Sequence, residues 1–175
     1  VRAIELKEKH GGKVIAINVG PAANDIIIRK ALAIGADEAV RVDAEASSSY
    51  FVAKQIAEYA KANEIELTFL GKETINYNGS EVGAMLAELL DQPYISYASH
   101  LEFDGNSAKI NRDIEGGIEV VEVNKPFVIS AAKGLAEQRI PNMKGIMMAK
   151  RKPLNVIEAV SCKDKVSITE YTLPE

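Results

Sequence analysis

The stretch Gly71-Lys-Glu-Thr-Ile-Asn-Tyr-Asn-Gly-Ser-Glu-Val-Gly83 holds the residues best suited to a chemical task. It leaves an apolar run that reads as a strand, passes through small and polar residues, and opens a helix near Ser80. At the carboxyl end of a strand in an open parallel sheet, such a helix start offers free N–H groups to a phosphate. Gly79 and Gly83 would let the backbone come close to a ligand. The other reading is an ordinary strand-to-helix loop capped by Asn78 or Ser80. The glycine and lysine spacing is not that of a Walker loop.

A second turn, Gly20-Pro21-Ala22-Ala23, ends a strand and precedes a helix in the same way. Asp25, in the first turn of that helix, reads as compensation for the helix dipole and not as a catalyst. Acid–base or nucleophilic chemistry would need His, Cys or paired carboxylates at the same loop ends. His10 falls at a helix end, His100 in a strand region and Cys162 in the tail, so no catalytic set is expected. With one cysteine and two separated histidines, no disulfide framework or metal cluster is expected either.

The segment around Met143 is of another kind. Ile140, Met143, Ile146, Met147 and Met148 lie among Pro141, Gly145 and several basic groups. Adaptable methionines ringed by charge suit a protein-docking surface; a capping loop packed on the sheet is the alternative. Lys150-Arg151-Lys152 reads as a solvated basic patch, with a role in docking as the minority reading.

The elements that must carry these residues follow from periodicity. Arg2 to Lys9 reads as the second half of an amphipathic helix closed by Gly11-Gly12, so that a start lying further upstream is expected. Val14 to Val19 is a nearly continuous β-branched run, as for a strand covered on both faces. A helix is expected from Ala22 to Ile34, ended by Gly35. A strand follows over Glu38 to Asp43, then a helix from about Tyr50 to Asn63 behind the cap Ser47-Ser-Ser49. Leu67 to Leu70 is a third strand, and Ser80 to Leu90 a further helix. Strand, turn and helix units of this length imply right-handed crossovers and a doubly wound parallel sheet. After Pro93 the pattern changes. Turns at Asp104-Gly105-Asn106 and Glu115-Gly116-Gly117 predict antiparallel hairpins, and Phe127 to Ser130 a last strand.

Composition agrees with a globular chain of 175 residues: 47% are hydrophobic and 26% charged. A formal net charge of -4 leaves no field to gather nucleic acid or an anionic membrane surface. No apolar run reaches the ~20 residues of a membrane span. The cysteine usage suits a reducing compartment.

Taken in order, several stretches resemble the beta subunit of electron transfer flavoprotein over about residues 1 to 160. They are Val14 to Pro21, Ala31-Leu-Ala-Ile-Gly-Ala-Asp37, Gly71-Lys72 with Gly83, Arg112-Asp-Ile-Glu-Gly-Gly117 and Ala149-Lys-Arg-Lys152. The resemblance implies a Rossmann-like doubly wound α/β fold of the adenine nucleotide alpha hydrolase-like kind, with an antiparallel hairpin extension. The nucleotide-binding unit would span 1–135, without the family's first strand, and 136–175 would form a recognition loop and tail.

It further implies a non-enzymatic electron-carrier subunit that holds a structural AMP, docks to dehydrogenases and pairs with an alpha subunit carrying most of the FAD. AMP would contact Gly71, Lys72, Glu73, Thr74, Ile75, Asn76, Tyr77, Asn78, Gly79, Ser80, Glu81 and Val82, with Val19 lining the adenine side. The partner anchor falls on Met143, flanked by Ile140 and Ile146, and Asp113 falls where the family places an acid that helps hold the flavin domain. Flavin dehydrogenases such as the acyl-CoA dehydrogenases of fatty acid beta-oxidation are the implied partners. The location implied is cytoplasmic in a bacterium or the mitochondrial matrix in a eukaryote. Val82 also resembles electron-bifurcating members, which place a second FAD where others hold AMP. A stand-alone universal-stress-type nucleotide domain is the reading from another class, and its Gly-rich phosphate loop near the last helix is missing. A hydrolase or ligase on the same fold would need catalytic side chains at the strand ends, and none are found.

Overall fold

The structure is a computed structural model and describes residues 1–173. The last two residues of the expected 136–175 segment lie outside the described residues. Helix α1 spans Arg2–His10 and ends at Gly11, whose φ of 81° suits glycine. Strand β1 (Ile15–Val19) leads through a short 3₁₀ turn at Ala22–Asn24 into α2 (Asp25–Ile34). The helix expected from Ala22 thus begins three residues later, because Pro21 in extended geometry leaves a tight turn before it. Then come β2 (Glu38–Asp43), α3 (Ser49–Ala62), β3 (Leu67–Gly71) and α4 (Glu81–Leu90). Ser48 caps α3 by accepting from the Phe51 N–H at 3.0 Å, as the serine run predicted.

Strands β4 (Tyr94–Phe103), β5 (Ser107–Ile114) and β6 (Gly117–Asn124) form the two antiparallel hairpins, with turns at both predicted glycine sites. Strand β7 (Phe127–Ala131) returns to pair in parallel with both β3 and β4. Helix α5 (Met143–Ala149) and strand β8 (Leu154–Glu158) complete the order. The fold is α/β with mostly parallel pairing and an antiparallel extension, as expected. The strands nevertheless form two sheets: β1-β2-β8, and β3-β7-β4-β5-β6. Strand β8 lies in the stretch read only as a tail. It pairs with β2 in parallel, Val156 opposite Arg41.

Three apolar clusters hold this arrangement. Leu6 of α1 joins Ile95, Leu101, Ile110, Phe127 and Ile129 on one face of the larger sheet. Ile28 and Leu32 of α2 pack with Ala39 and Ala149 on the smaller one. Ala53 and Ala57 of α3 meet Leu86 of α4 over Val128. The α3 stripe read as Phe51, Ile56 and Tyr59 is therefore lined by small alanines, which bring the helix close to the strands. Gln55, buried in α3, exchanges two hydrogen bonds with the Val160 backbone at 2.8 and 3.0 Å and ties down the chain after β8.

The first hairpin turn carries a pH dependence. The Asp104 carboxylate accepts from the backbone N–H groups of Ser107 and Asn106 and from the Ser107 hydroxyl, at 2.7 to 2.8 Å. These bonds favour the ionised form and hold its pKa down at about 2, against an ordinary 3.8. A depressed carboxyl contributes stability above its unfolded value and loses it as pH falls toward the folded one. Carboxyl NMR titration should therefore show Asp104 protonating near pH 2. Between pH 4 and 2, Asp104→Asn should be less acid-sensitive at the β4–β5 turn; a midpoint at 3.8 would contradict this.

Candidate functional site

Strands β3 and β7 end side by side, and the Lys72 N–H donates to the Ala131 carbonyl at 3.2 Å. From there residues 72–80 run over the carboxyl end of the sheet to α4. The loop folds on itself: Thr74 N–H donates to the Gly79 carbonyl and Asn78 N–H to the Thr74 carbonyl, both at 2.9 Å. The Thr74 hydroxyl also accepts from the Asn76 N–H at 3.2 Å. Asn78 closes the turn with a φ of 56°, a left-handed conformation that asparagine tolerates. Ile75, 96% exposed, and Tyr77 point to solvent.

Ser80 occupies the N-cap position of α4, yet its side chain makes no capping bond. The first N–H groups of α4 and the Ser80 hydroxyl are therefore free of one another, the arrangement an anion can use. Lys72 stands at the start of the loop, its ammonium 5.5 Å from the Tyr97 ring centroid and 2.9 Å from the Glu73 carboxylate. The bond to Glu73 raises the pKa of Lys72 and keeps it cationic. Glu73 and Glu81 add negative charge to the same rim.

The two predicted glycines differ in role. A side-chain carbon at Gly79 would lie 2.3 Å from the Tyr77 ring, so this glycine serves the turn. At Gly83 it would lie 2.6 Å from the Tyr94 hydroxyl. Gly83 is buried where α4 crosses β4; it serves helix-to-strand packing and not the approach of a ligand, which corrects the expectation.

Val19 is buried at the carboxyl end of β1, and Gly20 beyond it donates its N–H to the Val42 carbonyl at 3.0 Å. Arg41 fastens this turn, donating to Asp25 at 2.7 Å, to Asp43 at 2.5 Å and to the Gly20 carbonyl at 3.1 Å. Asp25 thus has an ion-pair partner beyond the helix dipole. Val19 belongs to the smaller sheet and residues 71–82 to the end of the larger one, and among the described residues no hydrogen bond joins them. Cavities of about 760 and 730 Å³ lie elsewhere, and with Ile75 and Tyr77 open to solvent the loop presents an exposed ledge.

Tyr97 is a feature that sequence reasoning missed. It sits in an irregular stretch of β4 with a φ of 56°, and its N–H donates to the Ser130 hydroxyl at 3.0 Å. A left-handed aromatic residue in a strand is strained, and such strain gathers at functional sites. Its place beneath Lys72 makes it part of the candidate ledge; an aromatic in an alternating strand gives no signal of this. Asp113, on β5, accepts from the Ser99 hydroxyl at 2.9 Å and remains exposed. His10 lies edge-on to Phe103, and His100 is exposed beside Glu102. No group of three or more His, Cys, Asp or Glu stands ready for a metal among the described residues.

The methionine segment is a helix. Asn142 caps α5 through the Gly145 N–H at 2.7 Å. A side chain at Gly145 would lie 2.4 Å from the Ala33 carbonyl, so glycine is what seats α5 on α2. Arg29 donates to the carbonyls of Ala149 and Lys152 at 2.7 and 3.0 Å. Lys152 donates to those of Leu32 and Ala36 at 3.1 and 2.5 Å. It is thereby a cap on the carboxyl end of α2, and only Lys150 and Arg151 fit the expected solvated patch. With one face fixed, Ile140 (83% exposed), Met143 (74%), Met147 and Met148 remain outside.

The electron transfer flavoprotein domain family matches residues 2–161. The chain is 39% identical over 160 residues to the electron transfer flavoprotein subunit beta of Bacillus subtilis, covering 89% of this chain and 62% of that protein. It is 36% identical over 182 aligned positions to the Mus musculus subunit beta, covering 98% of this chain and 71% of that protein. The Homo sapiens subunit beta is 37% identical over the same extent. The chain thus spans less than two thirds of the bacterial relative. An α/β sheet with a helix opening at the end of β3, a paired hairpin extension and matches of this length agree: the chain belongs to the electron transfer flavoprotein domain family, among its beta subunits.

Proposed function

We propose that this chain is the nucleotide-holding and docking part of an electron transfer flavoprotein, with an AMP phosphate at the start of α4 and no bond chemistry of its own. The observation that carries this is Ser80: an N-cap residue whose hydroxyl caps nothing, at the carboxyl end of β3. The ledge from Gly71 to Val82 gives the anion amide donors, Lys72 gives it a counter-charge, and nothing but the Glu73 carbonyl, at 3.9 Å, crowds the Gly71 Cβ direction. Val19 would face the base. FAD would come mainly with an alpha subunit, and electrons would arrive from flavin dehydrogenases, the acyl-CoA class among them. The reading carries with it a cytoplasmic place in a bacterium or a mitochondrial one in a eukaryote.

Titration calorimetry with AMP and with adenosine tests it. AMP should bind more tightly, and the preference should fall as salt is raised. Equal binding of the two, or none, would remove the phosphate site. A chain that binds FAD in place of AMP would favour the bifurcating arrangement, for which Val82 is the motive.

Helix α5 supplies the docking surface, with Met143 as its anchor between Ile140 and Ile146. Asp113 on the hairpin would help hold the flavin domain. In the assembled flavoprotein, Met143→Ala should slow reduction by a dehydrogenase on the order of fivefold, with nucleotide content unchanged. Loss of both together would discredit the docking role.

A further inference from the structure

Lys72 and Tyr97 belong to different elements, yet one strand end holds them both. The Lys72 N–H donates to the Ala131 carbonyl at 3.2 Å, and the Ala132 N–H to the Ala98 carbonyl at 2.8 Å. Beside these bonds the Tyr97 N–H donates to the hydroxyl of Ser130, a fully buried residue, at 3.0 Å. The carboxyl end of β7 thus fixes the backbone on either side. The pairing of β4 with β7 slips between Ile95 and Ala98, and there Tyr97 takes its φ of 56°. The result is a ring whose centroid lies 5.5 Å from the Lys72 ammonium, at the start of the ledge. We infer that Tyr97 is a positioning residue for the proposed phosphate site: its ring holds the Lys72 ammonium at the ledge, so that the counter-charge is in place before the anion arrives. This rests on the nucleotide reading and adds to it a residue outside the loop.

A lysine at an exposed ledge needs such a holder. Its ammonium is strongly hydrated and sits on a flexible four-carbon stem, and the freedom lost on gripping an anion weakens binding. A ring face that already attracts the ammonium removes part of that loss beforehand. Glu73, 2.9 Å from the same ammonium, does not serve equally well. A carboxylate neutralises the charge that a phosphate would meet, whereas the quadrupole of a ring attracts a cation and leaves its charge in place. A plain packing role fits Tyr97 poorly. The residue is 38% exposed, and a left-handed backbone at a non-glycine residue is a strain that its surroundings must impose. The bonds from Ser130 and Ala132 are those surroundings, and what they impose is the direction of the ring.

Calorimetry with AMP and with adenosine tests this on the wild-type chain, Tyr97→Phe and Tyr97→Gly, each also in a Lys72→Met background. Glycine adopts a φ of 56° freely, so Tyr97→Gly removes the ring and leaves the bulge; phenylalanine keeps the ring and drops the hydroxyl. AMP affinity should fall about two- to fivefold in Tyr97→Gly with adenosine unchanged, and hold in Tyr97→Phe. Once Lys72 is methionine, Tyr97→Gly should add nothing. In the proton NMR spectrum of the wild-type chain, the ring should shift the Lys72 side-chain methylene signals upfield, and Tyr97→Gly should restore them. Unshifted Lys72 signals, a phenylalanine variant as weak as the glycine one, or a loss that persists without Lys72 would overturn the positioning role. So would an unchanged AMP affinity in Tyr97→Gly where the wild-type chain prefers AMP to adenosine, a result that leaves the phosphate site standing without Tyr97. A wild-type chain with no such preference removes the site and its holder together.

Discussion

Replacing Phe127 with alanine is expected to destabilise the chain by about 3 to 5 kcal/mol, the range for a fully buried phenylalanine. Phe127 is fully buried, opposite Leu67 on β3 and within the cluster that holds Leu6, Ile95, Leu101 and Ile129. It is thus where α1, β3, β4 and β7 meet. With total stabilities of about 5 to 15 kcal/mol for folded domains, roughly a fifth or more of the margin would go. Urea denaturation checks this through the midpoint at constant slope. Ile140→Ala, at an exposed position, should stay within about 0.5 kcal/mol. A cost below about 1.5 kcal/mol at Phe127 would mean that the site collapses around the deletion and that the core lies elsewhere.

The regular elements near this core were legible because each is dictated locally. Val14 to Val19 and Glu38 to Asp43 are too β-branched and too short for helices, with Gly12 and Gly35 shortly ahead of them and Gly20-Pro21 closing the first. Asp104-Gly105-Asn106 and Glu115-Gly116-Gly117 fix hairpins by the backbone conformations they allow. What escaped was set by tertiary partners. Strand β8 is five residues after Pro153 and becomes a strand because β2 offers an edge. Helix α5 contains Gly145, which local propensity counts against a helix, and only the near contact with Ala33 shows why glycine is there.

The candidate site divides along the same line. The strand end, the polar loop and the helix start were readable from residues 67 to 90 in order, as were the small residues of the turn. Which glycine serves which purpose was not. Gly83 and Gly79 look equivalent in the sequence, and only the Tyr94 hydroxyl beside one and the Tyr77 ring beside the other assign them. Tyr97 was hidden because a positive φ belongs to the irregular register between Ile95 and Ala98, not to any pattern of types.

Ser80→Asp separates a phosphate site from a plain helix cap. The α4 start carries roughly half a positive charge, and its first N–H groups have no intrahelical acceptors. Aspartate is a strong N-cap residue, so in the free chain it should accept from those N–H groups and keep α4 as stable as before or about 1 kcal/mol more so. The same carboxylate would occupy the place proposed for the phosphate and repel it. Two unit charges 5 Å apart at an effective dielectric of 20 differ by about 3 kcal/mol, and solvent on this open ledge reduces that. AMP affinity should thus fall on the order of 30-fold, about 2 kcal/mol, while adenosine binding is unchanged. Glu81→Gln, which removes a charge from the same rim, should move AMP affinity the other way. Calorimetry with both ligands, beside a thermal melt of each variant, reads the two effects independently. A more stable α4 with AMP affinity intact would mean that position 80 is a helix N-cap position and nothing else, and that the nucleotide, if any, lies off this ledge.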